Sequence, residues 1–232
     1  MNNVLILGDG LLGGEIIKQT GWNYISRKKD GIDFADINSY KDYLKKYDTI
    51  LNCIGYTNTY DENRELSWNI NYKGVADLVD YCRFFSDNKL VHISTDYIYG
   101  GSKPEASEND VPVNARNWYS YCKMLSDAYI QLRSCNYLII RTSFKPRPFP
   151  YPKALAIQTG NFDYVDVIAE MIIKLIMGGA SGVYNVGTKV KTIYGLAKET
   201  KFDVKPLFDP IHSTMPYDVS MNLSKLHAFL GE

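Results

Sequence analysis

A glycine-rich turn near the amino terminus restricts the fold more than any other feature of the sequence. The apolar run Val4–Leu7 predicts a short buried strand, and helical spacing follows over Gly13–Thr20. The pattern G-x-G-x-x-G between a strand and a helix is typical of a dinucleotide site, where glycines permit a tight turn, a close backbone approach to pyrophosphate and close helix packing. The helix start also offers free N–H groups to phosphates. We therefore predict dinucleotide contacts along the turn, from Gly8, Gly10, Leu11, Leu12 and Gly13.

Strands and helices are predicted to alternate along the rest of the chain. Further strands are predicted at Trp22–Ser26, Thr49–Ile54, Leu90–Ser94, Tyr137–Arg141 and Gly182–Val186, and helices at Ser39–Lys46, Leu66–Phe85, Trp118–Arg133 and Asp163–Met177. This alternation predicts an α/β fold, a Rossmann-like doubly wound parallel sheet with a small, shortened carboxy-terminal substrate lobe. We expect residues 1–144 to form the dinucleotide-binding domain. Residues 145–232 would supply the lobe, interleaved with the last elements of the Rossmann core.

The charge balance and the cysteine pattern argue against several classes of protein. The chain has 26 Lys and Arg residues against 26 Asp and Glu residues, so it lacks the basic surface expected of a nucleic-acid-binding protein. No segment approaches the ~18 apolar residues of a membrane span, and the amino terminus does not resemble a secretory signal. The four cysteines show no metal-ligand spacing. We therefore expect no metal and a cytoplasmic location.

The residues after the second predicted strand favour NADP over NAD. An NAD site usually has an acidic residue at this position, which binds the ribose 2′-hydroxyl. Here the strand is followed by Arg27 and Lys28. The guanidinium of Arg27 is suited to bind a 2′-phosphate through two hydrogen bonds, so we predict NADP(H), with NAD as the alternative. Asp36 and Ile37 are predicted to contact the adenine.

A tyrosine and a lysine four residues apart supply candidate acid–base groups. Tyr119 and Lys123 lie at the start of a predicted helix, where this spacing places them on the same face. A free tyrosine has a pKa of about 10, and a neighbouring ammonium lowers it, which is useful for moving a proton during hydride transfer to a carbonyl. Tyr121 has no lysine four residues later, so it is the weaker candidate.

Several segments, in order along the chain, resemble one family of enzymes. They are residues 52–57 (NCIGYT), 71–74 (NYKG), 94–101 (STDYIYGG), the Tyr119/Lys123 pair, 141–144 (RTSF) and 218–226 (DVSMNLSKL). Together they resemble the dTDP-4-dehydrorhamnose reductase branch of the extended short-chain dehydrogenases/reductases. The resemblance spans nearly the whole chain.

The resemblance implies a role for each matching residue. Thr95 would hold the substrate carbonyl, Tyr119 would deliver the proton, and Lys123 would tune Tyr119 and bind the nicotinamide ribose. Asn71 would support Lys123 through a water molecule. The remaining matches imply contacts with the cofactor, from Cys53, Ile54, Gly55, Thr57, Ser94 and Phe144, the last in place of a family tryptophan beside the nicotinamide. The substrate implied is a nucleotide-activated sugar.

Two departures affect the expected reaction and substrate. Related 4,6-dehydratases carry an acidic residue after Asp96, where this chain has Tyr97, so we expect reduction or epimerisation rather than loss of water. The family's long substrate segment is replaced by the proline-rich residues 145–152, which predict an extended loop. Lys145, Arg147 and Lys153 are suited either to meet a diphosphate or to keep this loop solvated.

Other functions stay open at this level. A smaller carbonyl substrate would suit the shortened segment, and a non-catalytic NADP-binding regulatory subunit would share the fold. The intact set of Thr95, Tyr119 and Lys123 argues against the second alternative. A homodimer is left open. His92 lies in an apolar strand and is predicted to be a hydrogen-bonded core histidine rather than a base.

Overall fold

A computed structural model describes residues 3–59, 63–86, 88–110, 115–208 and 215–232. The strands in these ranges are β1 (Val4–Leu7), β2 (Asn23–Ile25), β3 (Thr49–Asn52), β4 (Lys89–Ile93), β5 (Tyr137–Thr142), β6 (Phe144–Lys145), β7 (Lys153–Leu155), β8 (Thr159–Gly160), β9 (Asp163–Tyr164), β10 (Gly182–Val186), β11 (Lys191–Thr192), β12 (Lys205–Leu207) and β13 (Asp218–Val219). The α-helices are α1 (Leu11–Thr20), α2 (Arg27–Asp30), α3 (Lys41–Leu44), α4 (Arg64–Trp68), α5 (Gly74–Tyr81), α6 (Trp118–Arg133), α7 (Val165–Met177), α8 (Ile193–Lys198) and α9 (Ser224–Leu230).

The central sheet has six strands, all parallel, in the order β2-β1-β3-β4-β5-β10. Its strands are apolar on both faces because helices cover both sides. Along β1, Leu5 and Leu7 pack with α3, α5 and α6, whereas Val4 and Ile6 pack with α1, α7 and α9. The predicted Rossmann-like doubly wound α/β fold is confirmed.

The strand order places a crevice at the carboxyl end of β1. From β1 the chain moves outward to β2, and it then returns to the other side of β1 to form β3. The connections after β1 and β3 therefore leave in opposite directions, and dinucleotides bind in the crevice that such a change of direction creates. Gly8 follows β1 and Cys53 follows β3, so the predicted cofactor segments meet at this point.

A smaller lobe is built from the later residues. The pairs β6 with β9 and β7 with β12, together with the sheet β11-β8-β13, consist of strands of only two or three residues each. Their side chains share a buried cluster with Tyr97 that includes Phe149, Phe162, Tyr164 and Leu196. Helix α7 and strand β10 also come from this part of the chain, but α7 packs in the core on one face of the central sheet and β10 is its edge strand. The predicted division at residue 144 stays a prediction.

Several element boundaries differ from those predicted. The helix expected over Leu66–Phe85 is interrupted by π-helical turns at Asn69–Lys73 and Cys82–Ser86, which add residues to the turn without disturbing the apolar spacing. The proline-rich segment starts as expected outside a helix, but Lys145 pairs with Tyr164 as part of β6. The sequence from Gly100 to Asn117, which is rich in Gly, Pro, Glu and Asp, predicts a loop, and residues 111–114 of that stretch lie outside the described residues. Among the described helices, none is both long and apolar enough for a bilayer crossing.

Candidate active site

The glycine-rich turn presents bare backbone to an open space. Gly8 has a φ of +94°, a conformation that glycine tolerates, and its N–H donates to the Ile25 carbonyl at 2.9 Å. Helix α1 then starts after Gly10, and no side chain caps it. A Cβ placed on Gly10 would meet no atom within 4 Å. The first N–H groups of α1 are therefore free to bind an anion that approaches along this backbone.

Helix α6 carries the predicted acid–base pair. Asn117 and Ser120 form a capping box, in which the Ser120 N–H donates to Asn117 Oδ1 at 2.8 Å, and this fixes the helix start. Tyr119 lies in the first turn, and Lys123 follows one turn later. Both side chains line the same cavity. The predicted helix over Trp118–Arg133 is therefore confirmed, and so is the shared face that its spacing implied.

Thr95 lies where β4 turns into the 3-10 helix Asp96–Tyr99. Its hydroxyl oxygen accepts a hydrogen bond from the Tyr97 N–H at 3.2 Å and caps this short helix. The hydroxyl donates to Asp96 Oδ1, also at 3.2 Å. Thr95 is 4% exposed, and it borders the cavity that Tyr119 lines. The turn thus fixes a hydroxyl group on the cavity wall within hydrogen-bonding reach of the Tyr119 phenol.

The environment of Tyr119 keeps its proton in place. Burial raises the pKa of Tyr119 to about 12, the charges of Asp96 and Asp127 raise it further, and a hydrogen bond with Thr95 lowers it. Tyr119 is therefore a neutral phenol at neutral pH. In this state it can donate a proton to an oxygen that gains negative charge.

Lys123 is buried among polar groups from a neighbouring strand. Its Nζ donates to the Ile93 carbonyl at 2.5 Å and lies 3.1 Å from His92 Nε2. Only 3% of the residue is exposed. Burial lowers the pKa of Lys123 to about 8, while Asp127 and Cys53 raise it. The lysine can therefore gain and lose its proton near neutrality.

One cavity of about 770 Å³ joins these features. The predicted site residues on its wall are Gly10, Leu11, Leu12, Cys53, Ile54, Gly55, Thr57, Ser94, Thr95, Tyr119, Lys123 and Phe144. The cavity runs from the amino terminus of α1, past the ends of β3 and β4, to the smaller lobe. It has room for a long ligand that contacts both the glycine turn and the acid–base pair.

The chain matches a known protein family over this region. The model of the RmlD substrate binding domain family matches residues 1–145 of the 232. The chain belongs to this family. The match includes the glycine turn, Thr95, Tyr119 and Lys123, so it covers most of the cavity wall.

Individual relatives of this RmlD-family chain are distant. The spore coat polysaccharide biosynthesis protein SpsK of Bacillus subtilis is 29% identical over 154 residues, which cover 62% of this chain and 53% of SpsK. The chain thus spans about half the length of the curated relatives that it matches.

Solved structures match over almost the whole chain. A dTDP-4-dehydrorhamnose reductase from Bacillus anthracis in complex with NADP has a TM-score of 0.84 at 23% identity, covering 98% of this chain and 92% of the reductase. A hypothetical dTDP-4-dehydrorhamnose reductase from Sulfolobus tokodaii has a TM-score of 0.81 at 24% identity, covering 97% and 94%. At these identities the structural similarity establishes the fold.

Six predicted site residues are not on the cavity wall. Gly8 and Gly13 lie behind it, where a Cβ on Gly13 would come within 2.1 Å of the Gly8 carbonyl oxygen. Asp36 caps the 3-10 helix at Ile37–Ser39 through the Asn38 N–H. Arg27 begins α2, is exposed, and makes no side-chain hydrogen bond or ion pair within the described ranges. The roles predicted for Arg27, Asp36 and Ile37 at the adenosine end stay predictions.

Asn71 is buried and holds a neighbouring loop. Its Oδ1 accepts from the Tyr56 N–H at 2.9 Å, and its Nδ2 donates to the Tyr56 carbonyl at 2.9 Å and to Ser67 Oγ at 3.3 Å. The π-helical turn Asn69–Lys73 brings it there. These contacts fix the backbone next to Gly55, which lines the cavity. The predicted link from Asn71 to Lys123 through a water molecule stays a prediction.

Of the three basic residues near the proline-rich segment, two reach the cavity. Lys145 and Lys153 line it. Arg147 instead forms an ion pair with Asp166, with Nε 3.0 Å from Oδ1, and its guanidinium lies over the Tyr164 ring. Arg147 therefore has a structural partner, while the two lysines are available to a ligand.

Sequence reasoning missed three wall residues of the central domain and much of the wall that the smaller lobe supplies. The first group is Thr59, Ile93 and Thr142, and the second is Pro146, Phe149, Tyr151, Pro152, Ala154, Leu155, Ile193, Leu207 and Met215. A usable signal was present in the proline-rich segment, where the alternating prolines favour an extended chain that turns aromatic side chains such as Phe149 and Tyr151 to its sides. It gave no indication of which aromatic residue would meet a ligand.

Asp96 is a buried carboxyl group that was not predicted to matter. Burial raises its pKa to about 7, against the opposing effect of Lys145 and of its hydrogen bond with Thr95. Its Oδ2 has no partner among the described residues. Burial also lowers the pKa of Lys145. The Asp96 carboxyl group thus lies next to the Thr95 hydroxyl, and Lys145 on the cavity wall acts on it electrostatically.

Proposed function

We propose that the protein reduces a keto group on a nucleotide-activated sugar of the dTDP-4-keto-6-deoxy type, with NADPH as the reductant. The observation that carries this proposal is the shared cavity. Thr95, Tyr119 and Lys123 line the same cavity as the turn at Gly10. A protein that only bound a dinucleotide would need the turn alone.

The cofactor assignment is supported by the fit of the chain to a dinucleotide. The uncapped start of α1 suits the pyrophosphate, and the open space over Gly10 would be filled by any side chain there. The Arg27 side chain, which makes no hydrogen bond or ion pair within the described ranges, suits a ribose 2′-phosphate. The structurally similar B. anthracis reductase was solved with NADP. NADPH, when bound, supplies the hydride; NAD(H) is the alternative cofactor.

Three side chains would handle the carbonyl oxygen and the proton. The Thr95 hydroxyl, which donates its one proton to Asp96 Oδ1 in the free protein, would turn to donate to the substrate carbonyl and so polarise it. Tyr119 is a neutral phenol, and it transfers its proton to the oxygen as negative charge develops there. The Lys123 ammonium stabilises the phenolate that Tyr119 becomes, because an opposite charge favours the ionised form.

The substrate class is supported by the relatives and by two features of the cavity. A curated relative acts in spore coat polysaccharide biosynthesis, as its name says, and two structural neighbours are named as reductases of a dTDP-sugar. Lys145 and Lys153 on the wall suit a diphosphate. Tyr97, in place of a carboxylate, favours reduction or epimerisation over dehydration. A smaller carbonyl substrate is the alternative. The homodimer and the cytoplasmic location stay predictions.

The test is a comparison of two tyrosine variants. NADPH absorbance is followed with dTDP-4-keto-6-deoxyglucose and with other keto sugars. Tyr119→Phe should lower kcat by about 10²–10⁴-fold with little change in NADPH affinity. Tyr121→Phe is the matched control: it lies on the same helix, is 38% exposed and packs edge-on against Trp118, so its activity should equal that of the wild type. NADPH binding by the wild-type protein without NADPH oxidation in the presence of any keto sugar would overturn the proposal in favour of a binding subunit.

A further inference from the structure

A chain of buried hydrogen bonds connects the backbone after β3 to Lys123. The Ile54 N–H donates to Asn52 Oδ1 at 3.0 Å, and Asn52 Nδ2 lies 3.2 Å from His92 Nδ1. On the other side of the ring, His92 Nε2 lies 3.1 Å from Lys123 Nζ, which donates to the Ile93 carbonyl at 2.5 Å. Asn52 and His92 are both 0% exposed. Water therefore does not compete for these bonds.

The direction of this chain follows from its first bond. A backbone N–H can only donate, so the Asn52 atom that faces Ile54 is the carbonyl oxygen. The amide nitrogen of Asn52 then faces His92, and it too can only donate. His92 Nδ1 must accept that bond, so the neutral ring carries its proton on Nε2. The Nε2–H group points at Lys123 Nζ.

A donor aimed at Lys123 distinguishes between its two protonation states. The neutral amine has a lone pair that accepts the bond from His92 while one of its N–H groups donates to the Ile93 carbonyl. The ammonium has donors only, so its contact with His92 would place two donors face to face. The arrangement therefore stabilises the amine relative to the ammonium.

We propose that His92, oriented by Asn52, is a positioning residue that favours the neutral amine of Lys123 and sets the pH above which the enzyme loses the lysine's charge. The consequence for catalysis rests on the proposed function. The effect on Lys123 itself does not, because it follows from the hydrogen-bond directions alone.

Other charged and titratable groups also face Lys123. Asp127 lies one turn later on α6, Cys53 follows β3, and Tyr119 lies one turn earlier. The Asp127 carboxylate favours the ammonium form of Lys123. Arg141 forms an ion pair with this carboxylate, with Nε 3.0 Å from Oδ2, and the positive charge of Arg141 partly offsets the effect of Asp127 on Lys123. Burial raises the pKa of the Cys53 thiol, which is therefore uncharged at neutral pH. The same burial lowers the pKa of Lys123. Burial also holds the pKa of His92 well below its usual value, which keeps the ring neutral as the bond directions require.

This device would set the alkaline limit of the reaction. The Tyr119 phenolate needs the nearby ammonium, so turnover should fall as pH rises through the pKa of Lys123. Reversing the donor at His92 would raise that pKa and move the limit to higher pH. A residue with a merely structural role would change the rate at every pH without moving the limit.

The test measures the protonation state of Lys123 directly. The full chain is labelled with ¹⁵N-lysine, and the Lys123 Nζ resonance, identified by its absence in Lys123→Arg, is followed against pH. His92→Gln offers an acceptor oxygen to the ammonium. Asn52→Asp accepts from both Ile54 and His92 Nδ1, so it moves the ring proton and reverses the chain. His227→Gln, an exposed histidine on α9, is the matched control.

We expect the wild-type midpoint to lie below that of an ordinary lysine and to rise by at least one pH unit, a tenfold change in the equilibrium, in both His92→Gln and Asn52→Asp. The control should leave it unchanged. A wild-type Lys123 that stays an ammonium up to the ordinary lysine range would overturn the inference even if a variant fails to fold, as would an unshifted midpoint in the folded variants. If the midpoints shift but no keto sugar is reduced, the proposed function fails and the inference stands. If a keto sugar is reduced but the midpoints do not shift, the inference fails and the proposed function stands.

Discussion

Replacing Gly13 by alanine tests how closely α1 must pack on the turn after β1. The added Cβ would lie 2.1 Å from the Gly8 carbonyl oxygen and 3.3 Å from Cys53 Cβ. Carbon and oxygen atoms in contact normally stay about 3.3 Å or more apart, so the helix must move by roughly 1 Å. Overpacking costs about 1–3 kcal/mol, and the upper end applies because the obstacle is backbone.

Alanine is more favourable than glycine in a helix by about 0.5–1 kcal/mol, which offsets part of that cost. The net loss is thus about 2 kcal/mol in the free energy of unfolding, or a Tm lower by about 4–8 °C for a chain of this length. Two neighbouring glycines are matched controls. A Cβ on Gly14 would lie 3.4 Å from the Asp9 carbonyl oxygen, an ordinary contact, so Gly14→Ala should be neutral or slightly stabilising.

Gly10→Ala separates binding from stability. No atom lies within 4 Å of its Cβ, so the free energy of unfolding should stay within about 0.5 kcal/mol of the wild type. NADPH affinity should fall at least about tenfold, because the methyl group fills the space where the pyrophosphate approaches. The assays are urea unfolding followed by circular dichroism and NADPH titration followed by fluorescence. Wild-type stability in Gly13→Ala, or undiminished NADPH binding in Gly10→Ala, would refute the reasoning.

Three further predictions concern charged residues. Arg27→Ala should weaken NADPH binding about 10–100-fold while leaving NADH binding and the Lys28→Ala control near wild type, measured by fluorescence titration; equal losses for both cofactors would contradict the 2′-phosphate contact. Arg141→Met leaves the buried Asp127 carboxylate unpaired, so urea unfolding should show a loss of about 3–5 kcal/mol, largely restored in the double variant with Asp127→Leu. Burial raises the pKa of Asp96 from 3.8 to about 7, so the folded protein holds a proton that the unfolded chain releases, and stability falls as pH rises through this range. Asp96→Asn should flatten that fall and unfold with a free energy roughly 2–4 kcal/mol higher above pH 7, whereas an unchanged pH dependence would contradict the shift.

The parts of the site that sequence could predict are local in the chain. The glycine turn lies within six residues, and Tyr119 and Lys123 are one helical turn apart, so a known helix period is enough to place each group. The buried strands were equally readable because their apolar runs are continuous. Predicted α6 and β10 agree with the structure at both ends.

The smaller lobe could not be read in the same way. Its strands of two or three residues are too short to show a period, and prolines interrupt the segment before β7. The π-helical turn that aims Asn71 at Tyr56 is likewise hidden, because one extra residue in a turn leaves the apolar spacing of the surrounding helix almost unchanged. These elements are fixed by tertiary packing, which a single sequence does not display.

The contact between His92 and Lys123 belongs to neither group, because it depends on the register of the sheet. The two residues are 31 positions apart, and Asn52 is 40 positions from His92. Yet Asn52 and His92 are register partners in the parallel pair β3 and β4. Alternation places both on the face that α6 covers, since Ile50 and Leu90, two residues earlier in each strand, pack in the cluster on that face. A slip of one residue would turn either side chain to the opposite face and separate it from Lys123. The register that buries the apolar core therefore also aligns the polar chain, and once the strand order is known, an asparagine and a histidine at matching ends of adjacent strands become a readable signal.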